Sequence, residues 1–435
     1  MKHRSFVARL AIVAVLALVA AACRQAETGD GGEVEDPRGV IEIAAGDSIK
    51  IATAQAISGD VASLGTDQVR GIEIAIADKG QILGHDIELQ VEDEQCAAEG
   101  GTAAAQKLAA DPEMVGVIGS SCSGAGVPMA PILDDAGIVM ISGSNTSPFL
   151  TQNPFGTEGE DHRPNYFRTA HNDLIQGASA ATFAFEQCGV TKAASIHDGD
   201  PYTSGLAGAF DDAFAGLGGE MVLQTAVSPD DTDMRPVLTE VAAAGAEMVF
   251  FPIFQPAADF IAKQAREIDG LENTVLMAAD GVLSDTYVVI PETKQSPRCP
   301  GIDGAPEGMY FSGPATPTGG EYSEFVGKYE EANGEKPIQA FHAHAYDAVN
   351  MLFAAIEEVA VEADDGSLQI GRQALIDAVA ATDGFEGLTG TISCDEFGDC
   401  ADPKIDILQN SSDTEDITAV KENILATFTA EDVGL

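Results

Sequence analysis

The chain has no tryptophan, little basic charge and one long apolar run near its start. Lysine and arginine total 22 against 70 aspartates and glutamates, a formal charge of −48 at pH 7. Such a surface cannot neutralise phosphate backbones, so nucleic acid is excluded as a main partner. No G-x-x-x-x-G-K-[ST] loop argues for a nucleotide, and no C-x-x-C pair offers zinc spacing. The missing tryptophan removes the usual fluorescence report on binding. What is present is 45% apolar residues over 435 positions, enough for two packed cores.

The apolar run, Leu10 to Ala22, follows Lys2, Arg4 and Arg9 and ends in small residues at Cys23. It is too short to cross a bilayer and fits a secretory signal. VAAAC resembles a lipoprotein cleavage box, which implies a lipidated Cys23 and a membrane-anchored, exported protein. Residues 24–47, acidic and Gly-rich, are expected to form a flexible tether. The remaining cysteines, Cys96, Cys122, Cys188, Cys299, Cys394 and Cys400, are even in number, which favours disulfides after export. A local bridge joins Cys394 to Cys400 across a turn-rich segment in this reading. Cys96 and Cys122 follow strand-like segments and could meet at neighbouring strand ends, which leaves Cys188 for Cys299.

From Ser48 onward short apolar runs alternate with amphipathic stretches, the pattern of βαβ units in a parallel sheet. Strands are expected at 49–54, 86–92, 115–119 and 138–141, then, after a polar loop, at 192–197, 220–226, 247–251 and 274–278. Helices fill the intervals, with three more near 319–333, 338–362 and 371–381. The Pro-rich region 291–317 reads as a meandering crossover and not as a buried strand. Two α/β blocks in series place the default binding site in a cleft between lobes, beyond the carboxyl ends of strands.

The segment 115–148 carries most of the chemistry. Free N–H groups at a helix start near Gly126, the Ser123 hydroxyl, and the strand end Gly143-Ser144-Asn145-Thr146 offer donors without a basic side chain. That suits a small carboxylate better than a polyphosphate. In the second block Tyr202, Phe254 and Asp280 each follow a strand, so aromatic walls and a carboxylate able to hold an ammonium face those donors. Taken singly, these loops also read as ordinary capped turns.

The collinear order of ISGDVASLGTDQVRGIEIAIAD, VIGSSCSGAGVPMAPILDDAGIVMISGSNTSP, YFRTAHNDLIQG, IHDGDPYTSGL and LMAADGV resembles type I periplasmic binding proteins of the branched-chain amino-acid family. The resemblance spans about 48–409. It implies an α/β Venus-flytrap fold: two Rossmann-like lobes, 48–171 plus 315–390 and 172–314 plus 391–435, joined by three crossovers. Ser123 matches the family serine on the ligand carboxylate, with Ser144 and Thr146 as partners. Asp280 stands at the ammonium site, one methylene shorter than a glutamate, and Tyr202 is the aromatic lid. Leu64 and Phe254 replace tyrosines of leucine binders. The resemblance also implies a Cys96–Cys122 bridge behind the serine loop, an amino-acid ligand handed to an ABC permease, no cofactor and no catalysis. An amide, urea or aromatic acid is the alternative ligand on the same fold.

Other constellations are weaker. His342 and His344 stand two apart on a helix and point to different faces, which argues against a metal site. His171, His197 and Asp198 would serve a serine hydrolase, yet the Ser123 setting lacks the G-x-S-x-G elbow. The DEFGD segment at 395–399 reads as a turn.

Overall fold

A computed structural model describes residues 34–435 except 155, 303 and 305. The signal segment, Cys23 and the start of the tether lie outside the described residues. Val, Ile and Ala dominate the strands and are buried, as expected where helices cover both faces of a parallel sheet. The first sheet runs, in spatial order, Gln81–Ile82, His85–Asp93, Ile49–Gln55, Met114–Gly119, Val139–Ser142 and Tyr166–Arg168. All its pairings are parallel apart from the edge hairpin at Gln81–Ile82. Alternation divides its side chains between two cores: Ile51 packs with Leu352 and Phe353 of helix His342–Val359, and Ala52 with Met129 and Leu133 of helix Ser123–Asp135.

The second sheet repeats the plan, with Glu220–Ala226, Lys192–His197, Met248–Phe250, Val275–Ala279 and Gly308–Pro314 parallel. Lys404–Ser411 and Ile424–Thr429 extend it antiparallel. In both sheets the first strand of the lobe lies inside, and the chain winds outward from it in both directions. The crevice that this reversal opens lies between Ile49–Gln55 and Met114–Gly119 in one lobe, and between Lys192–His197 and Met248–Phe250 in the other. Leu64 and Ser123 follow the first pair, Tyr202 and Phe254 the second.

Several expectations are corrected. Gly308–Pro314 is a buried strand inside the second sheet, not part of a meander, because its prolines flank the ladder: Pro306 precedes it and Pro314 closes it. The tether is shorter than 24–47, since Val34 is buried and Val40–Ile43 pairs with Leu368–Gly371. The last crossover falls near 401–404 and not at 391. Ile392 and Cys400 lie in the first lobe's core, and the Cys400 N–H donates to the Arg168 carbonyl at 3.0 Å. The helix expected near Gly126 begins at Ser123, which makes Ser123 its first residue and moves Pro128 out of the first turn.

The three expected disulfides are formed, Cys96–Cys122, Cys188–Cys299 and Cys394–Cys400, closing sequence separations of 26, 111 and 6 residues. Loop-closure entropy grows with separation. Replacing Cys188 and Cys299 with serine is therefore expected to cost about 5 kcal/mol, against about 2 kcal/mol for the Cys394–Cys400 pair, as measured by urea denaturation.

Candidate ligand cleft

At the carboxyl end of Met114–Gly119, helix Ser123–Asp135 begins after Cys122, whose extended backbone turns the chain into the helix. The Ala125 and Gly126 N–H groups donate to the Cys122 carbonyl at 3.1 and 3.0 Å, so the helix start leaves the Ser123 and Gly124 N–H groups without an intrahelical partner. The Ser123 hydroxyl accepts from the Ser147 N–H at 3.3 Å, and Ser123, Ser144 and Thr146 are all buried. Ser144 is committed differently from Ser123. Its hydroxyl donates to the Ser121 carbonyl at 2.6 Å and so staples the two strand-end loops together.

Arg168, the last residue of Tyr166–Arg168 and fully buried, sets the threonine loop. It donates to the carbonyls of Asn145 at 3.2 Å and Ser147 at 2.9 Å, bonds the Thr151 hydroxyl, and pairs with Asp399. Asp399 sits in the turn closed by Cys394–Cys400, where Asp395 accepts from the Phe397 and Asp399 N–H groups at 2.9 Å. The DEFGD segment is thus the turn expected, with a structural anion at its end.

From the second lobe, Tyr202 and Asp280 meet. The Tyr202 hydroxyl lies 3.3 Å from Asp280 Oδ1 and accepts from the Gly281 N–H at 3.2 Å. Gln176 donates to the same Asp280 oxygen at 2.5 Å, and its own carbonyl meets His171 Nε2 at 2.5 Å. Burial pushes the Asp280 carboxyl up to about 6, against the lowering effect of the Gln176 and Tyr202 hydrogen bonds. Burial likewise holds His171 down at about 4. Phe254 lies beside Tyr202, ring centres 5.0 Å apart, and packs across the cleft on Leu64, Ala56, Ala170 and Phe341.

The lobes touch around these groups. The Ser147 hydroxyl donates to the Pro201 carbonyl at 2.9 Å, and a Cβ at Gly124 would stand 2.0 Å from Asp200 Oδ2. Glycine at 124 is what admits the start of the opposing helix, Pro201–Gly216, which Asp200 caps.

A family model described as periplasmic binding protein matches residues 48–399. The chain belongs to that family. This binding protein is 28% identical over 366 residues to a Leu/Ile/Val-binding protein homolog of Brucella melitensis, covering 83% of this chain and 91% of the relative. A Leu/Ile/Val-binding protein of Rhizobium johnstonii is 26% identical, over 81% of this chain and 88% of its own. Among solved structures, a leucine binding protein from Thermotoga maritima superposes with a TM-score of 0.71 at 24% identity, covering 88% and 99% of the two chains. A solute binding protein from R. palustris in complex with benzoate gives 0.67 at 20%, covering 84% and 94%. Membership in the family makes this binding protein an extracytoplasmic, non-enzymatic component of solute transport. No helix among the described residues is long and apolar enough to cross a membrane.

Of the other sequence candidates, His344 is buried with no hydrogen-bond partner at Nδ1 among the described residues, and two further histidines are bonded within the fold. His342 Nδ1 pairs with Asp67 at 2.9 Å and its Nε2 meets Tyr322 at 2.9 Å, while His197 Nδ1 accepts from the Gly199 N–H at 3.1 Å. Sequence reading singled out neither Asp173 and Gln176 nor Phe341. The first two lie in the quoted block YFRTAHNDLIQG, where an Asn cap followed by Asp marks a helix start but not what it faces. Phe341 had no local signal. Because Asp399 neutralises a fully buried guanidinium, Asp399→Ala is expected to lower stability by about 3–5 kcal/mol in urea denaturation.

Proposed function

We propose that this protein captures an α-amino acid with an apolar side chain between its lobes and delivers it to an ABC permease, held to the membrane through Cys23. The observation that carries the reading is the opposed chemistry of the two walls. Ser123, Thr146 and a helix start supply neutral donors for a carboxylate on one side; Tyr202 and Asp280 supply an acceptor for an ammonium on the other. Between them Leu64, Phe341 and Phe254 form an apolar surface with contributions from both lobes. Ser144 serves this site as a brace for the loops, with its hydroxyl proton on Ser121.

Relatives named for Leu/Ile/Val binding support the amino-acid class, and the benzoate complex shows that the fold also admits aromatic acids. The electrostatics favour the zwitterion. Arg168 is consumed by Asp399 and backbone carbonyls, while a buried acid waits on the facing wall. A simple carboxylic acid would leave that acid without a cation. Contacts divided between lobes also explain closure, since a ligand shifts the equilibrium only by binding the closed form better.

A thermal-shift screen over the twenty amino acids, benzoate and small amides tests the class, because tight binding raises the melting temperature by mass action. Asp280→Ala is expected to weaken the bound amino acid by about 3–5 kcal/mol, far more than Leu64→Ala. Equal losses in calorimetry would show that the ligand carries no ammonium. The carboxylate form of Asp280 is the one that attracts an ammonium. Affinity should therefore decline as pH drops through about 6, by up to about tenfold per unit below it. A flat calorimetric profile between pH 7 and pH 5 would remove Asp280 from the ammonium site.

A further inference from the structure

The lobes also meet away from the crossovers. Lys421 of the second lobe donates to the Gln339 carbonyl of the first at 2.9 Å. Its mount is firm: the helix Ile417–Glu422 is capped by Asp416, Ile417 and Val420 sink into the second lobe's core with Leu408 and Tyr287, and the Ile417 N–H donates to Asp285 Oδ1 at 2.9 Å. The acceptor is fixed just as well. The Gln339 and Ile338 N–H groups donate to Asp67 at 3.1 and 3.0 Å, the Gln339 side chain donates to the Ser63 hydroxyl at 2.9 Å, and His342 Nδ1 lies 3.0 Å from the same Gln339 carbonyl oxygen. Two residues further on stands Phe341, part of the apolar surface of the cleft.

Lys421 is half-buried, and Gln339 is its one hydrogen-bond partner among the described residues. Among those residues every ion pair lies within one lobe or in a crossover, and none includes Lys421. Burial pulls the Lys421 pKa down, against the opposing influence of Asp67 in the first lobe and Asp285 in the second. A lysine that served only its own lobe would keep its ammonium in water, where the charge is best solvated. Here the ammonium is carried across to a carbonyl of the other lobe. The chain holds 70 acidic side chains against 22 basic ones, so its lobes repel as they approach, and a cation at the seam opposes that repulsion.

We propose that Lys421 is a closure latch: by bonding the Gln339 carbonyl only when the cleft is shut, it sets how slowly a captured ligand escapes, without touching the ligand itself. The inference rests on the capture reading above but not on the ligand's amine. A bond made in the closed form alone shifts the balance between open and closed by its whole strength, and it acts on release because encounter with the open cleft comes first. Gln339 and Phe341 share one loop, so the latch acts on a segment that lines the cleft.

The test follows release of radiolabelled L-leucine, or of the amino acid that the screen prefers, from the full mature chain during a chase with unlabelled ligand. Lys421→Met keeps a stem of similar length and removes the charge. Release should quicken by at least about tenfold, the size of one charged hydrogen bond, with association within about twofold of wild type and the melting temperature of the unliganded protein unchanged. Lys421→Arg restores a charged donor and should return release toward the wild-type rate. Release from Lys421→Met at the wild-type rate, a change confined to association, no recovery with arginine, or a matching fall in the unliganded melting temperature overturns the assignment. Lys421→Gln, neutral and too short to reach, gives the same comparison should the methionine variant not fold. If wild type binds none of the screened ligands, the capture reading fails and the proposal falls with it. If wild type binds one and Lys421→Met releases it no faster, only the proposal falls.

Discussion

Everything at the cleft depends on where one buried guanidinium spends its hydrogen bonds. Arg168 ends a strand of the first sheet, has no access to water, and meets two carbonyls, one hydroxyl and one carboxylate drawn from three chain segments. A cation in that position would be intolerable without such partners, and the partners would scatter without it. By fixing the carbonyls of Asn145 and Ser147 it fixes Thr146 between them, and by holding Asp399 it fastens the disulfide-closed turn to the last strand of the sheet. It also settles the sign of the first wall. With its charge already neutralised, that wall offers hydroxyls and amides, and positive charge is absent from the candidate carboxylate site.

The second wall is its electrostatic complement. Asp280 is a buried acid bonded by the Gln176 amide and the Tyr202 phenol, and Gln176 in turn meets a histidine, His171, held neutral by burial. In the function proposed, neutral donors on one wall and an acid on the other define a direction in space along which a small zwitterion would lie. The close passage of Asp200 over Gly124 and the Ser147–Pro201 hydrogen bond bring the walls near enough to exclude water, which strengthens charged hydrogen bonds.

Much of this was legible in the residues. Strands such as Lys192–His197 and Met114–Gly119 lie close to where their apolar patterns put them, because a strand buried between helix layers needs a near-continuous run of small and branched apolar residues. The approach of Tyr202 to Asp280 could be anticipated from their places after strands, since strand ends in such sheets converge on the crevice. Tertiary context hid the rest. Gly308–Pro314 carried prolines on both sides that masked a regular ladder between them. Val40–Ile43 is too short to announce itself and takes its order from Leu368–Gly371, far away in sequence. Ile392 and Cys400 join the first lobe through side chains distant in the chain. Asp173 looked like any acid in a first helical turn; that it is wholly buried with neither oxygen hydrogen-bonded among the described residues is a consequence of the fold alone.

The interleaving of the chain between lobes bears on how the molecule reaches its native state. The helix His342–Val359 lays Leu352 against Gly116, where even a methyl group would collide, so the first sheet is finished on one face by residues that follow almost the entire second lobe. The opening stretch, 34–171, therefore emerges as a half-covered sheet that must wait for its missing layer. Contacts of such long range make folding slow, because the entropy of closing the long intervening chain must be met before they form.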